Sequence, residues 1–350
     1  MSTYECSVVL PGGAGQPLEA QATGAGHPLE AQATITDDAI VITGEQLGRA
    51  VLPFVDLMDM RLLNYHLHLA IRDGEAVISQ LGYRTEDFFE KLWEAYCAKS
   101  RDSLLIEGTL AMGSEGDYAY TEPDIERKSI AKLELYTDCL CIIPHDAGAR
   151  RVPLCFAEPT VREGFSLNIA LDTGERYRIA RLGADTDPFF ERLETNRSKT
   201  AAAWHAAHTA LEQSLDARLG DARERFSVFR DKADVACGLF SADDEAFWFA
   251  AIGTGRAAVE LICDEQTATY LYRFDVAPST FLNSLRHAME AVKKNRRIIY
   301  LSEEDLADEP LFRMSIERSA HVRFLRSCNA GRIIHTASWS QKVAEFFAEE

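Results

Sequence analysis

The 350-residue chain contains no apolar run approaching the ~20 residues that a membrane-spanning helix needs. Met1–Leu10 lacks a basic segment followed by a long apolar stretch, so no secretory leader is expected there. Cysteine occurs eight times, at 6, 97, 139, 141, 155, 237, 263 and 328, but never in CxxC spacing. That removes the commonest zinc and dithiol arrangements. Most of these thiols lie in apolar runs such as Cys139-Leu140-Cys141-Ile142-Ile143, where sulfur serves as a small hydrophobe. A cytoplasmic protein with reduced thiols is the expectation. No GxSxG stands near a plausible His and Asp pair, and kinase, dinucleotide-binding and deaminase signatures are missing. Gly253-Thr-Gly255-Arg256 lacks the GK[ST] ending of a phosphate loop and lies between two apparent strands, so it reads as a hairpin. No motif indicates a catalytic residue or a cofactor, and an enzyme is the less favoured class.

Positive charge is in short supply as well. The formal net charge is −18, which as a whole repels phosphate backbones and anionic membranes. The exception is Arg286–His335, where ten Lys or Arg face seven Asp or Glu, a local +3 that leaves about −21 on the remainder. Lys293, Lys294, Arg296 and Arg297 form its core, with Arg313, Arg318, Arg323, Arg326 and Arg332 further on. Cations at a helix C-terminus complement its dipole, by roughly 0.3–1 kcal/mol each. The functional alternative is a basic face that meets an acidic partner or the protein's own acidic modules, with Lys293, Lys294, Arg296, Arg297, Arg323 and Arg326 as its contact residues. Aromatic residues do not interleave with these arginines, which disfavours nucleic acid.

What is present is repetition. Gly13–Thr23 recurs at once as Gly24–Thr34, with only Gln16 and His27 differing. Such near-identity is expected in an exposed loop before the first well-defined strand, where added chain is tolerated. An older repeat runs at an offset of 100. Asp38, Ile42, Gly48 and Pro53 match Asp138, Ile142, Gly148 and Pro153, and Leu67, Ala70, Gly74 and Glu75 match Leu167, Ala170, Gly174 and Glu175. One inserted residue later, Phe88–Leu92 matches Phe189–Leu193. The matched residues are turn glycines, alternating strand apolars and a helix core face, which are the positions that set a fold. Leu67, Leu69 and Ile71 alternate as in a half-buried strand. Arg72–Glu75 and Asp172–Glu175 read as glycine hairpin turns. Thr85 and Thr186 stand where helix N-caps are expected. A third, shorter copy is placed by Asp243–Phe249, the alternating run Thr267–Phe274, and Phe281, Leu282 and Leu285.

A bent antiparallel sheet closed by one C-terminal amphipathic helix resembles the pleckstrin-homology-like superfold, including the GRAM and bacterial PH-like domains. The expected fold is therefore α+β: residues 1–101 and 102–198 as tandem PH-like modules, 199–225 as a helical connector, 226–297 as a divergent third module and 298–350 as a basic mixed tail. The resemblance implies a non-enzymatic adaptor or scaffold that binds a protein or peptide. Lipid-binding members carry cations in a strand-joining loop. Here Gly44–Gly48 has only Arg49 beyond it, and His145–Gly148 is followed by Arg150 and Arg151, so membrane binding is not expected.

Three sets of metal-capable residues were weighed. His66 and His68 share a strand face, but their counterparts are Ser166 and Asn168, and a solvated face is the expectation. Cys139 and Cys141 correspond to Ala39 and Val41 and read as core. His205, His208 and Glu212 fall at i, i+3 and i+7 of a helix, where one face could gather them around a metal in an enzyme site between modules. A polar interface or solvent face of the helix is the expectation.

Overall fold

Alternation of apolar residues over five to seven positions, punctuated by glycine, gives the chain its strands. The computed structural model describes residues 3–11, 28–72, 74–122, 125–146, 148–214, 235–240, 247–262, 267–334 and 337–348. In the first unit β1 (Thr3–Val9), β2 (Leu29–Ile35), β3 (Ala39–Gly44), β4 (Gly48–Pro53), β5 (Leu57–Leu63), β6 (His66–Ile71) and β7 (Gly74–Ser79) form one antiparallel sheet in the order β4-β3-β2-β1-β7-β6-β5. Helix α1 (Thr85–Ser103) follows, with Phe88, Leu92 and Tyr96 at helical spacing in the core.

The second unit repeats this element by element. Strands β8 (Leu110–Glu122), β9 (Ile125–Tyr136), β10 (Cys139–Pro144), β11 (Arg150–Pro153), β12 (Val161–Glu163), β13 (Ser166–Ala170) and β14 (Arg176–Ala180) adopt the order β11-β10-β9-β8-β14-β13-β12. Helix α2 (Thr186–Ser214) follows. Even the short 3-10 turns coincide, Phe54–Asp56 with Leu154–Phe156 and Gly82–Arg84 with Gly183–Asp185. The backbone N–H of Phe54 donates to Asp38 O, and that of Leu154 to Asp138 O.

Several expectations change. The duplicated segment is not wholly a loop before the first strand. Strand β1 precedes it, and Leu29–Thr34 of its second copy lies in β2, where Ala31 and Ala33 are buried. Its apolar residues alternate with period two, and small side chains suit a strand pressed against the core. Most of the remaining duplicated residues lie outside the described ones. Thr85 and Thr186 are not N-caps, because both have helical dihedrals. Each hydroxyl instead donates to the carbonyl of the preceding glycine, Gly82 or Gly183, at 2.8 and 2.9 Å. The 3-10 turn runs straight into the helix, so a half-helical cap residue has no place there. The connector expected at 199–225 is, as far as Ser214, a continuation of α2.

The third unit is built differently from the other two. Strands β15 (Val235–Phe240), β16 (Phe247–Gly253), β17 (Arg256–Ile262), β18 (Thr267–Arg273) and β19 (Asn329–Ile334) form a simple meander in chain order. Its edge strand β19 comes from the segment expected to be a separate tail. Helix α3 (Pro278–Val292) covers this sheet with Phe281, Leu282 and Leu285, as expected of those residues. Helices α4 (Glu303–Ala307), α5 (Pro310–Arg318), α6 (Ala320–Cys328) and α7 (Trp339–Ala348) complete the unit.

The three units pack on one another. Strand β10 is buried on both faces. Leu140 and Ile142 enter the core of the second unit, while Cys139, Cys141 and Ile143 join the core of the first. A continuous apolar run is the mark of a strand covered on both sides. The core reading of Cys139 and Cys141 therefore agrees with the structure, and burial lifts the Cys139 thiol to about 11. Cys6, Cys97, Cys139, Cys141, Cys155 and Cys328 are unpaired. No helix among the described residues is long and apolar enough to cross a membrane.

Candidate functional site

The basic residues of the C-terminal region are largely turned inward. Lys293 bonds Asp138 at 3.0 Å and lies 3.6 Å from Glu290. Arg151 bonds the same Asp138 at 2.8 Å and the Glu290 carbonyl at 2.7 Å, fastening β11 to α3. Arg313 from α5 reaches Asp56 at 2.6 Å, and Arg318 donates to Tyr96 Oη at 2.9 Å, so the third unit is tied to the first. Arg297 pairs with Glu309, and Arg326 with Glu303 and the carbonyls of Ile298 and Leu301. Arg323 donates to the carbonyls of Ile316 and Glu317. The side chains of Lys294 and Arg296 lie outside the described residues. Lys293 thus meets the acidic second unit, while Arg297, Arg323 and Arg326 are engaged within the third unit itself.

The loop cations are equally occupied. The side chain of Arg151 is 4% exposed, and Arg150 stacks over the Tyr120 ring at 3.5 Å. His66 bonds the Asn64 carbonyl and His68 faces Glu75 at 3.3 Å, on a partly solvated strand face as expected. His205 is exposed on α2, and the side chains of His208 and Glu212 lie outside the described residues.

Between the second and third units a cleft of about 50 Å³ is lined in part by Arg150, Glu175, Tyr177, His287, Arg318 and His321. That space holds a few waters or an ion and is far below the ~300 Å³ of a typical small-molecule pocket. Glu175 comes from the Asp172–Glu175 turn, whose geometry requires the positive φ (93°) of Gly174. His287 comes from the middle of α3 and His321 from the first turn of α6. One donor atom from each of the three lies within 4.8 Å of the other two, the only such group among the described residues. His321 Nε2 is 3.4 Å from Glu175 Oε2. Tyr120 Oη and Thr173 Oγ1 each donate to the Glu175 carboxylate at 3.3 Å, and Arg150 stands 3.9 Å away.

Electrostatics here pull in two directions. Burial works against a charged Glu175, but the hydrogen bond and charge of His321, with help from Arg150, outweigh it and hold the carboxyl below its ordinary value. His287 is 2% exposed, and burial pushes its imidazole below the ordinary value despite the Asp172 bond. Its Nε2 meets Asp172 Oδ1 at 2.6 Å. A carboxylate only accepts, so Nε2 carries the proton and Nδ1 carries the lone pair. Nδ1 is buried and has no hydrogen-bond partner among the described residues. The ring is fixed further by Phe156, stacked at 4.4 Å, while the His321 ring lies 4.7 Å away.

Sequence reasoning did not assemble this group. It placed Asp172 and Glu175 in a turn, and no spacing links them to His287 and His321, 112 and 146 residues beyond Glu175. One signal was available: the equivalent turn of the first unit opens with Arg72 in place of Asp172.

A second feature recurs in both repeated units. At the tip of the β5–β6 hairpin Tyr65 is 72% exposed, and at the tip of β12–β13 the equivalent Phe165 is 76% exposed. Leu63 and Val161 beside them are also exposed. No protein-family model matches the chain, and no curated protein matches it.

Proposed function

We propose that this chain is a non-enzymatic cytoplasmic scaffold that holds a protein or peptide, built on two PH-like modules in tandem. The PH-like reading draws on the shared strand order, four strands on one side and three on the other, with a helix after the seventh. The observation that carries the binding role is the pair Tyr65 and Phe165. Folding gains nothing from an aromatic ring held in solvent, yet both copies present one at the same hairpin tip. Aromatic side chains dominate binding hot spots, because they bury much area at little entropic cost. Each hairpin includes the last strand of its sheet, β5 or β12; the Met60 N–H of β5 already donates to the His145 carbonyl, so β12 is the edge beside which an extended peptide can add.

Other observations support the choice of partner. Arg151 and Lys293 are committed to Asp138, and Arg313 to Asp56, which takes these three cations away from a lipid headgroup or nucleic acid. The six unpaired cysteines fit a reducing compartment. The cleft between the second and third units is too small for an organic substrate, which disfavours an enzymatic site at that junction.

The test compares wild type with the Y65S/F165S double variant, each immobilised and exposed to extract of its own cells. A stoichiometric protein retained by wild type and lost from the variant, with unchanged thermal unfolding, is the expected result. Identical retention by both proteins would overturn the hairpin-tip assignment. Retention on anionic vesicles that falls steeply with salt would replace it with lipid binding.

A further inference from the structure

The geometry points to a divalent transition-metal site, best suited to Zn2+, formed by Glu175, His287 and His321 across the junction of the second and third units. The chemistry of the donors comes first. Two imidazoles and one carboxylate are a set that zinc accepts, with a water completing a tetrahedron. Edges of such a tetrahedron are about 3.3 Å for bonds near 2.05 Å. The Glu175–His321 separation of 3.4 Å already meets that length. All three donors lie within 4.8 Å of one another, so reaching that edge length needs an approach of at most about 1.5 Å, with His287 held in place and the other two closing on it.

The second observation is independent of spacing. His287 is held at Nε2 by Asp172 and leaves a lone pair at Nδ1, buried and without a hydrogen-bond partner among the described residues. A buried, unsatisfied nitrogen costs free energy, on the order of 1–3 kcal/mol, unless something fills the place. A carboxylate that orients the far nitrogen of an imidazole is the usual support of a metal-bound histidine. Glu175 has its own supports in Tyr120 and Thr173. The cleft beside these groups, about 50 Å³, accommodates an ion and its water.

The competing occupant is a proton. With His321 protonated, the Glu175–His321 contact is an ordinary ion pair, and Arg150 at 3.9 Å adds positive charge that a metal must tolerate. Zinc takes imidazole ligands in their neutral form, so protons compete with it and binding weakens as pH falls. Because Glu175 belongs to the second unit and both histidines to the third, the ion acts as a clamp between them.

The experiment uses the full chain, stripped with chelator and titrated with Zn2+ by calorimetry, then with Co2+ for its visible d–d bands. One ion per chain, a rise in Tm of several degrees at saturating Zn2+, and a cobalt spectrum without thiolate charge-transfer are expected. H321A removes the least buried of the three ligands and should fold, yet lose saturable binding and the Tm rise. D172N, which keeps the ligands but loosens His287, should weaken affinity about 10–100-fold. H205A should bind as wild type does. No saturable binding by wild type, binding unchanged in H321A, or a thiolate-to-cobalt band would each overturn the assignment. The readouts are separate from those of the scaffold proposal, so either can fail alone.

Discussion

The first two units share a strand order, their turns and a closing helix, yet they use the same positions differently. Residue 51 in the first is Val51, 44% exposed on β4. Residue 151 in the second is an arginine whose side chain is 4% exposed between Asp138 and Glu290. Asp38 reaches only Lys99 and is largely exposed, while Asp138 gathers Arg151 and Lys293. The hairpin opened by Arg72 grips Glu317 of the third unit, and the hairpin opened by Asp172 grips His287 of that unit with the opposite polarity. A scaffold is thus set by its turns and core-facing apolar residues, while the outward positions are free to become solvent face in one copy and joint in the other. The second unit has turned Asp138, Arg151 and Asp172 into residues of its joint with the third.

The largest test of this contrast is R151A against V51A. Removing Arg151 leaves Asp138 and Glu290 with Lys293 alone in a part-buried joint and is expected to cost about 3 kcal/mol, whereas V51A should change stability by about 0.5 kcal/mol or less. Urea unfolding of both variants measures it, and equal effects would break the comparison. D138N should cost about 2 kcal/mol near neutrality, in line with the loss of charge-assisted hydrogen bonds, and D38N much less.

The pH dependence follows with its sign. Burial opposes ionisation of Asp138, but Arg151 and Lys293 outweigh it and hold the carboxyl below its ordinary value. A group with a depressed folded value stabilises fully above the unfolded value near 3.9, and that contribution is lost as pH falls through the folded value. Wild type should therefore lose stability progressively below about pH 4, and D138N should flatten this acid limb. Denaturant midpoints measured between pH 6 and pH 3 decide it.

The cysteine pair sharpens the contrast at smaller amplitude. C141S places a hydroxyl at a fully buried site between two cores and should cost about 1–3 kcal/mol, while V41S on the half-buried equivalent costs less. Burial pushes the Cys97 thiol to about 12, so this group should resist alkylation until the protein unfolds, a difference that thiol labelling in increasing urea reports. Smallest in stability are Y65S and F165S, each expected within about 0.5 kcal/mol of wild type, with partner retention as the property that changes.

Legibility followed the range of each interaction. The glycine turns, the alternation of Leu67 and Leu69, and the Phe88 and Phe189 helix faces are local patterns, and they could be read residue by residue. The strand hidden in Leu29–Thr34 was misjudged because the recent duplication suggested a loop, although the alternating alanines already fitted a strand. Thr85 and Thr186 were misjudged because the 3-10 turn before each helix leaves no mark in composition. The cationic cluster was visible, but its partners Asp56, Asp138 and Glu290 were not, since a sequence shows charge without showing what it faces.

By itself, then, the sequence determined the repeat, its turns, its buried faces and the separation of acidic modules from a basic end. Only the tertiary structure decided that β10 would be covered on both sides, that the last segment would return as β19, and that Glu175 would meet His287 and His321. The physical reason is the same in each case. Periodicity and turn chemistry act over a few residues and are written along the chain, while contacts across more than a hundred residues arise only when separate units bury their faces against each other.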